Sequence, residues 1–126
     1  WSSDVCSSDL ERADALHTAH VMADAGITGI KVHNLHLVRG AALTEEHERN
    51  PFALLSMEEH VRVVCDILER LPWRITIQRL WGTAPASWLV APAWCLRGQE
   101  VEQAIGEELR RRRSRQGAFL AKESGV

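Results

Sequence analysis

The sequence predicts an α/β domain with parallel strands, and two features of the chain indicate it. Residues 27–38 and 74–80 are rich in β-branched residues and alternate between apolar and polar positions, as strands do. A helical pattern lies between them, and strands joined through a helix of this length pair in parallel. The chain therefore reads as helix, strand, helix, strand, followed by one more helix.

The first helix and the first strand are predicted at residues 10–25 and 27–38. Apolar residues recur at helical spacing through the first segment, and Gly26 is a residue type that commonly ends helices. Side chains of a strand alternate between its two faces. One face of this strand is expected to carry Ile30 and Val32, and the other Lys31 and His33.

The second helix has the clearest signals in the chain. Ser56 and Glu59 have the spacing of an N-terminal capping box, and Pro72 follows as a helix breaker. The positions expected to face the core are Met57, Val61, Val64, Leu68 and Leu71. The polar residues 41–55 before this helix are predicted to form a long surface loop, with one or two helical turns at residues 43–48.

The second strand, at residues 74–80, and the segments after it complete the domain. The two faces of this strand are expected to carry Ile75 and Ile77, and Thr76 and Gln78. Residues 82–97 are rich in Ala, Pro and Trp, so they are expected to pack over one end of the strands rather than form a solvated linker. Residues 99–113 have the spacing of an amphipathic helix, and the tail after Gly117 is expected to fray.

Composition and charge place the chain among ordinary soluble domains. Its 126 residues suffice for one domain or part of one, and 45% apolar with 25% charged residues argues against disorder. A formal net charge of −2 excludes a basic nucleic-acid-binding arm or a membrane-surface peptide as the character of the whole chain. No apolar run reaches the roughly 18 residues of a spanning helix, so we expect a cytoplasmic protein with no membrane partner.

Residues 1–10 are set aside because they resemble the translation of a sequencing-adapter end, which makes them a non-native segment. The alternative is a natural start that caps the first helix through Ser8 and Glu11. The remaining cysteines, Cys65 and Cys95, are far apart and lack the spacing of metal ligands. They are expected to be buried, reduced core residues.

The predicted elements are too few for a complete parallel sheet. Such sheets are normally covered on both faces, and two strands with about three helices cannot achieve this. Further strands are therefore expected upstream of residue 11, so that this chain holds only the closing part of the sheet.

Several motifs in a fixed order resemble the bacterial radical S-adenosylmethionine (SAM) family. The longest is Ala-Gly-Ile-x-Gly-Ile-Lys-Val-His-x-Leu-His-x-Val-Arg-Gly at residues 25–40, and Ile-Gln-Arg-Leu-x-Gly follows at residues 77–82. Shorter matches lie at residues 56–61, 71–72, 91–94 and 116–117. More narrowly, the chain is similar to the YhcC-type group, which is related to the catalytic subunit of Elongator. Residues 81–90 depart from the family pattern, which has a charged, Gly/Asp-rich turn there.

The resemblance implies the C-terminal part of a partial (β/α) barrel at residues 11–97, incomplete in this chain, with a final helix and basic tail at residues 98–126. Family members bind a four-iron, four-sulfur cluster at a three-cysteine loop, Cys-x-x-x-Cys-x-x-Cys, and SAM across the carboxyl ends of the strands. That loop does not occur in this sequence. The isolated chain is therefore expected to bind neither cofactor, to be inactive, and to need the N-terminal half of the barrel as its partner. The Elongator relationship implies a tRNA substrate, modified at the wobble uridine.

Active sites of barrels lie at the carboxyl ends of the strands, and this rule marks the candidate site residues. The residues expected to bind cofactor or substrate are Lys31, His33, His36, Arg39, Gln78 and Arg79. Lys31 and His33 are expected to lie deeper than the others, on the polar face of the first strand. No residue is assigned a catalytic role.

Several of these residues also have a purely structural interpretation. Arg39 could anchor a loop, and Lys31 inside a barrel would need a carboxylate partner from a missing strand. His33 and His36 would point to opposite faces of one strand, so zinc is not expected. The remaining histidines are expected at the solvated surface: His17, His20, His47 and His60.

One charge run stands out, formed by Arg110, Arg111, Arg112, Arg113 and Arg115. It is either a solvated helix end that complements the helix dipole or a set of contacts to RNA phosphates. For the whole chain, the alternative to an enzyme fragment is a self-standing α/β interaction module. Such a module would bind a protein or RNA partner through the Trp-rich segment and the arginine helix.

Overall fold

The computed structural model describes residues 2–6 and 12–123 of the chain. The described strands are β1 Ser2–Cys6, β2 Gly29–His33, β3 Leu37–Val38, β4 Thr76–Arg79 and β5 Leu89–Ala91. The described helices are α1 Arg12–Asp24, α2 Ala42–Arg49, α3 Met57–Glu69, α4 Gly98–Arg111 and α5 Ala118–Glu123, with a short 3-10 helix at Ala93–Leu96. None of the helices in these ranges has the length and apolar composition needed to cross a membrane.

The main sheet has three parallel strands in the order β1-β2-β4, which confirms the predicted α/β class. Gly29 lies opposite Thr76 and Ile30 opposite Ile77, so the two predicted strands run side by side in the same direction. β1 lies within residues 1–10 and pairs with the other edge of β2. The alternative capping box at Ser8 and Glu11 falls on residues outside the described part of the chain.

The predicted strand at residues 27–38 is wrong in its length, because the chain leaves the sheet after His33. Asn34 is 1% exposed, and its Oδ1 accepts a hydrogen bond of 2.9 Å from the backbone N–H of Gly82. This contact turns the chain out of the sheet. Leu37–Val38 then forms an antiparallel pair with Leu89–Ala91, so the Trp-rich segment joins a second, two-stranded ribbon.

Within the segment at residues 41–55, the helical turns predicted at residues 43–48 are confirmed. Ala42–Arg49 forms a helix, and the Oγ1 hydroxyl of Thr44 donates a hydrogen bond of 2.6 Å to the carbonyl oxygen of Val38. Helix α3 agrees with its prediction. The Ser56 hydroxyl accepts from the backbone of Glu59, whose carboxylate accepts from the backbone of Ser56.

The hydrophobic core lies between the helices and the apolar face of the sheet. Strand β2 contributes Ile30 and Val32, and Ile75 lies just before β4. The helices contribute Ala19, Met22, Val61, Val64, Leu68, Val101 and Ile105. Cys65 and Cys95 are buried free thiols, as predicted. Burial raises the pKa of Cys65 to about 12, which keeps the thiol protonated.

The chain after Gly117 is helical, so the expectation of a frayed tail is wrong as far as residue 123. The side-chain amide of Gln116 donates to the carbonyl oxygens of Pro72 and Ile75, both at 2.8 Å. The Arg70 guanidinium lies 4.3 Å from the centre of the Phe119 ring. These contacts hold the segment against the start of β4.

The arginine run is not simply a solvated helix end. Arg112 is largely buried and binds three carboxylates, those of Asp66 at 2.9 Å, Glu69 at 2.6 Å and Glu108 at 2.7 Å. These ion pairs connect α4 to α3. Arg112 therefore has a structural role that the run of like charges did not indicate, because two of its three partners, Asp66 and Glu69, are distant in the sequence.

Candidate functional site

Four of the six predicted site residues meet in one cleft at the carboxyl ends of β2 and β4. The cleft has a volume of about 260 Å³ and is lined by Lys31, His33, His36, Arg79, Gly82 and Thr83. We call it the cationic cleft. Candidate site residues at and after the carboxyl ends of β2 and β4 therefore lie together, as expected for two parallel strands.

A β-bulge in β4 decides which of its polar residues reaches the cleft. Ile30 pairs with Ile77, whereas the next residue of β2, Lys31, pairs with Arg79, so Gln78 is the extra residue. Paired residues of neighbouring strands share a face of the sheet, which puts Arg79 beside Lys31. Gln78 is exposed and does not belong to the lining of the cleft.

Asn34 and Gly82 form the junction that shapes the cleft, and sequence reasoning assigned a role to neither. Besides the hydrogen bond between them, the backbone oxygen of Asn34 lies 3.4 Å from Nδ1 of His36. A Cβ atom on Gly82 would lie 3.0 Å from the Cβ atom of His33. A side chain at this position would therefore press on His33 unless one of the two segments shifted by a few tenths of an ångström. A polar Asn directly after an alternating strand was the available signal.

The prediction that His33 and His36 point to opposite faces is wrong, because the strand ends at His33. Both line the cationic cleft. Even so, among the described residues no group of three or more His, Cys, Asp or Glu side chains is placed to hold a metal ion.

His60 is the largest correction among the histidines. It is 0% exposed instead of lying at the surface, and its Nε2 lies 2.7 Å from the carbonyl oxygen of Leu80. Because a carbonyl oxygen only accepts, Nε2 carries the proton. The imidazole packs on Trp94 with ring centres 5.1 Å apart. Burial lowers the pKa of His60, so the ring is neutral and fixes the chain just before Trp81 and Gly82.

Two of the other three histidines agree with their prediction. His17 and His20 are exposed. His47 is half-buried, and its Nε2 lies 3.0 Å from the carbonyl oxygen of Phe52. The position of His60 was visible in the sequence, since it lies four residues before Val64 on the apolar side of α3.

Arg39 lies outside the cationic cleft. It lines a neighbouring depression of about 430 Å³ together with Ser87 and Trp88. Its backbone N–H donates a hydrogen bond of 2.9 Å to the carbonyl oxygen of Trp88, which fixes the end of the β3–β5 ribbon. We call this second site the Trp88 depression.

The charges of the cationic cleft favour an anionic ligand. Lys31 and Arg79 carry permanent positive charges at neutral pH, and the two imidazoles add hydrogen-bonding groups. Among the residues whose side chains the structure describes, none that lines the cleft is a carboxylate. Lys31 is exposed, so it needs none of the buried carboxylate partners that its predicted place inside a barrel would require.

Comparison with known proteins gives this arrangement its family. Residues 27–111, which include both strands and the cleft, match the family described as the Radical_SAM C-terminal domain. The chain belongs to this family. The match confirms the resemblance to radical SAM proteins inferred from the motifs.

Individual relatives agree with the family match. The chain is 36% identical over 110 residues to the uncharacterized protein YtqA of Bacillus subtilis, covering 87% of this chain and 34% of that protein. It is 30% identical over 106 residues to an uncharacterized protein of Methanocaldococcus jannaschii, covering 83% and 33%. It is 26% identical over 84 residues to YhcC of Escherichia coli, covering 67% and 27%. The chain thus spans about a third of the length of these relatives.

Proposed function

We propose that this radical SAM C-terminal domain completes a partial (β/α) barrel of a radical SAM enzyme and binds an anionic group of the reaction in its cationic cleft. The observation that carries the proposal is the meeting of Lys31 and Arg79 at the carboxyl ends of two parallel strands. Ligands of parallel α/β folds bind at this end of the strands.

The cleft fits one of the two cofactors that the family implies. A carboxylate, such as that of the methionine part of SAM, matches a lysine, an arginine and two imidazoles. An iron–sulfur cluster does not fit the described lining, because cluster iron is held by thiolates and none of the described lining residues is a cysteine. Cys65 and Cys95 are buried, and burial raises the pKa of both thiols. Cluster ligands therefore belong to another part of the full-length enzyme.

When SAM is bound and reduced, it supplies a 5′-deoxyadenosyl radical. The residues of this chain bind the anionic group and hold it in position. Lys31 and Arg79 hold the anionic group, and Arg79 offers two parallel donors to a carboxylate. His60 and Asn34 are buried and hydrogen-bonded to the backbone of Leu80 and Gly82, so they keep the far wall of the cleft in place.

For the substrate, we propose a tRNA whose wobble uridine is modified in the cytoplasm. The resemblance of the motifs to the Elongator-related YhcC-type group supports this substrate, and a cationic cleft is compatible with a nucleic acid. In the alternative of a self-standing interaction module, Trp94 and Arg112 are not free to bind a partner, whereas Trp88 stays exposed. Trp94 is buried with its indole N–H donating to the carbonyl oxygen of Leu55, and Arg112 is occupied by carboxylates.

The test replaces Lys31 and Arg79 by methionine, one at a time, in a full-length protein that contains this domain. Formation of 5′-deoxyadenosine from SAM is measured with a chemical reductant, with and without tRNA. Loss of a charge-assisted contact of about 1.5–3 kcal/mol should raise the KM for SAM, or for tRNA, roughly tenfold to a hundredfold.

Gln78→Met is the matched control, because Gln78 neighbours Arg79 and does not line the cleft. We expect its KM values to equal those of the wild type. If Lys31→Met and Arg79→Met behave like Gln78→Met, the cleft does not bind an anionic group and the proposal fails.

A further inference from the structure

The Trp88 depression is the strongest feature that the proposed function leaves unused. It is formed at the end of the β3–β5 ribbon by Arg39, Ser87 and Trp88. The backbone there is fixed, because the N–H of Trp88 and that of Leu89 both donate to the carbonyl oxygen of Pro85, at 2.9 and 3.0 Å. The backbone hydrogen bonds therefore give the depression a defined conformation.

The exposure of Trp88 calls for an explanation. Trp88 is 61% exposed, whereas Trp94 is buried and Trp81 packs against the core. A large aromatic side chain gains free energy by leaving water, so an indole held at the surface is available for a ligand. Arg39 is also exposed, and no carboxylate in the described part of the chain pairs with it.

An indole, a guanidinium and a hydroxyl together match the chemistry of a nucleotide. A base stacks on the indole, and a phosphate accepts hydrogen bonds from the guanidinium and the hydroxyl. The position adds a second reason. Thr83 of the cationic cleft lies only four residues before Ser87, a span of at most about 14 Å, so a short single strand could contact both sites.

We infer that the Trp88 depression binds one nucleotide of a single-stranded RNA, with the base on Trp88 and the phosphate on Arg39. This inference rests on the proposed function, because it identifies where the nucleic-acid substrate next to the cationic cleft is held. It assigns Arg39 to substrate rather than to SAM. The charge of Arg39 and of the adjacent cleft favours a polyanion over an apolar protein partner.

The experiment measures binding of a fluorescein-labelled oligouridylate to the 126-residue chain by fluorescence anisotropy. Trp88→Ala should weaken binding roughly fivefold to a hundredfold, since removing a stacking aromatic costs about 1–3 kcal/mol per base. Trp88→Phe, which keeps an aromatic face, should restore most of the affinity. Arg39→Gln should make the negative slope of log affinity against log salt shallower by about 0.7, the value for one single-strand phosphate contact.

Trp73→Ala is the matched control, because Trp73 is 85% exposed and precedes the amino end of β4, whereas the cationic cleft lies at the carboxyl end. It should leave the affinity unchanged. Linear polyphosphate serves as a second probe that carries charge without bases, and its binding should not change in Trp88→Ala.

The outcomes separate this inference from the proposed function. If Lys31→Met and Arg79→Met weaken oligouridylate binding while Trp88→Ala does not, the nucleotide site is refuted and the cationic cleft stands. If Trp88→Ala weakens polyphosphate and oligouridylate binding equally, or if Trp73→Ala has the larger effect, stacking at Trp88 is refuted. Failure of SAM turnover in the full-length enzyme variants would not mimic any of these results, because the binding assay contains no SAM.

Discussion

Replacing His60 tests whether a buried histidine holds the wall of the cationic cleft. In His60→Phe an aromatic ring still packs on Trp94, although the phenyl ring is larger than the imidazole, and the hydrogen bond of 2.7 Å to the carbonyl oxygen of Leu80 is lost. Leaving a buried acceptor without its partner costs about 1–3 kcal/mol. His60→Ala also leaves a cavity, and truncating a large buried ring to alanine costs about 3–5 kcal/mol.

The assay is urea unfolding near neutral pH, with the free energy of unfolding taken from the midpoint at constant slope. The control is His20→Phe, at an exposed position whose imidazole lies 3.3 Å from the carboxylate of Asp24. Exposed substitutions of this kind change stability by no more than about 0.5 kcal/mol. We therefore expect the order wild type, His20→Phe, His60→Phe, His60→Ala, with the first two nearly equal.

The pH dependence gives a second, independent result. Burial is the main cause that lowers the pKa of His60 below its usual 6.5, and the nearby His33 adds to it. As pH falls below 6.5, the unfolded chain takes up the proton before the folded chain does, so the contribution of neutral His60 to stability decreases. The gap between wild type and His60→Phe should therefore narrow on acidification. Equal midpoints for the two proteins, or a gap that widens at low pH, would refute the role of His60.

Three further predictions concern the ion pairs, the cleft and the thiols. Arg112→Met should destabilise the fold by about 2–4 kcal/mol in thermal and urea melts, because the buried carboxylate of Glu69 loses its ion-pair partner. Arg113→Met, at an exposed position, is the control and should have little effect. In the same melts, Gly82→Ala should lower stability by about 1–3 kcal/mol, because its Cβ atom would lie 3.0 Å from the Cβ atom of His33, and it should also weaken ligand binding in the cleft. Gly106→Ala is the control: its Cβ atom has its nearest contact at 3.6 Å, so this helix substitution should stabilise by about 0.4–1 kcal/mol. Cys65 should resist iodoacetamide at mildly alkaline pH until the chain is unfolded, because burial raises the pKa of its thiol to about 12. Peptide mass spectrometry measures the labelling, and rapid labelling of the folded protein would contradict the place of Cys65 in the core.

Local patterns predicted the elements whose stability is local. The capping box of Ser56 and Glu59 and the apolar stripe after it define α3, because a helix of that kind needs only neighbours three and four residues away. The alternation of Ile30 and Val32 with Lys31 likewise predicted a strand with one buried face. The candidate site followed from a general rule about strand ends, and four of its six residues lie in one cleft.

The predictions that the structure contradicts share one cause, which is contact between segments that are distant in the sequence. The position of Asn34 after an alternating strand does not identify its partner, the backbone of Gly82, which lies 48 residues later, and this contact accompanies the early end of β2. The extra residue Gln78 in β4 turns Arg79 toward Lys31, and a bulge is defined only by its partner strand. Arg112 looked solvated because its partners Asp66 and Glu69 precede it by more than forty residues.

The sequence by itself determined the α/β class, the amphipathic helices and the family, because periodicity, capping and ordered motifs are properties of neighbouring residues. Only the tertiary structure decided which polar side chains share the cationic cleft, that His60 is a buried support and that Arg39 lies beside Trp88. Burial and pairing between distant segments set hydrogen bonds, pKa values and the direction of each side chain, and these quantities exist only once the chain has folded.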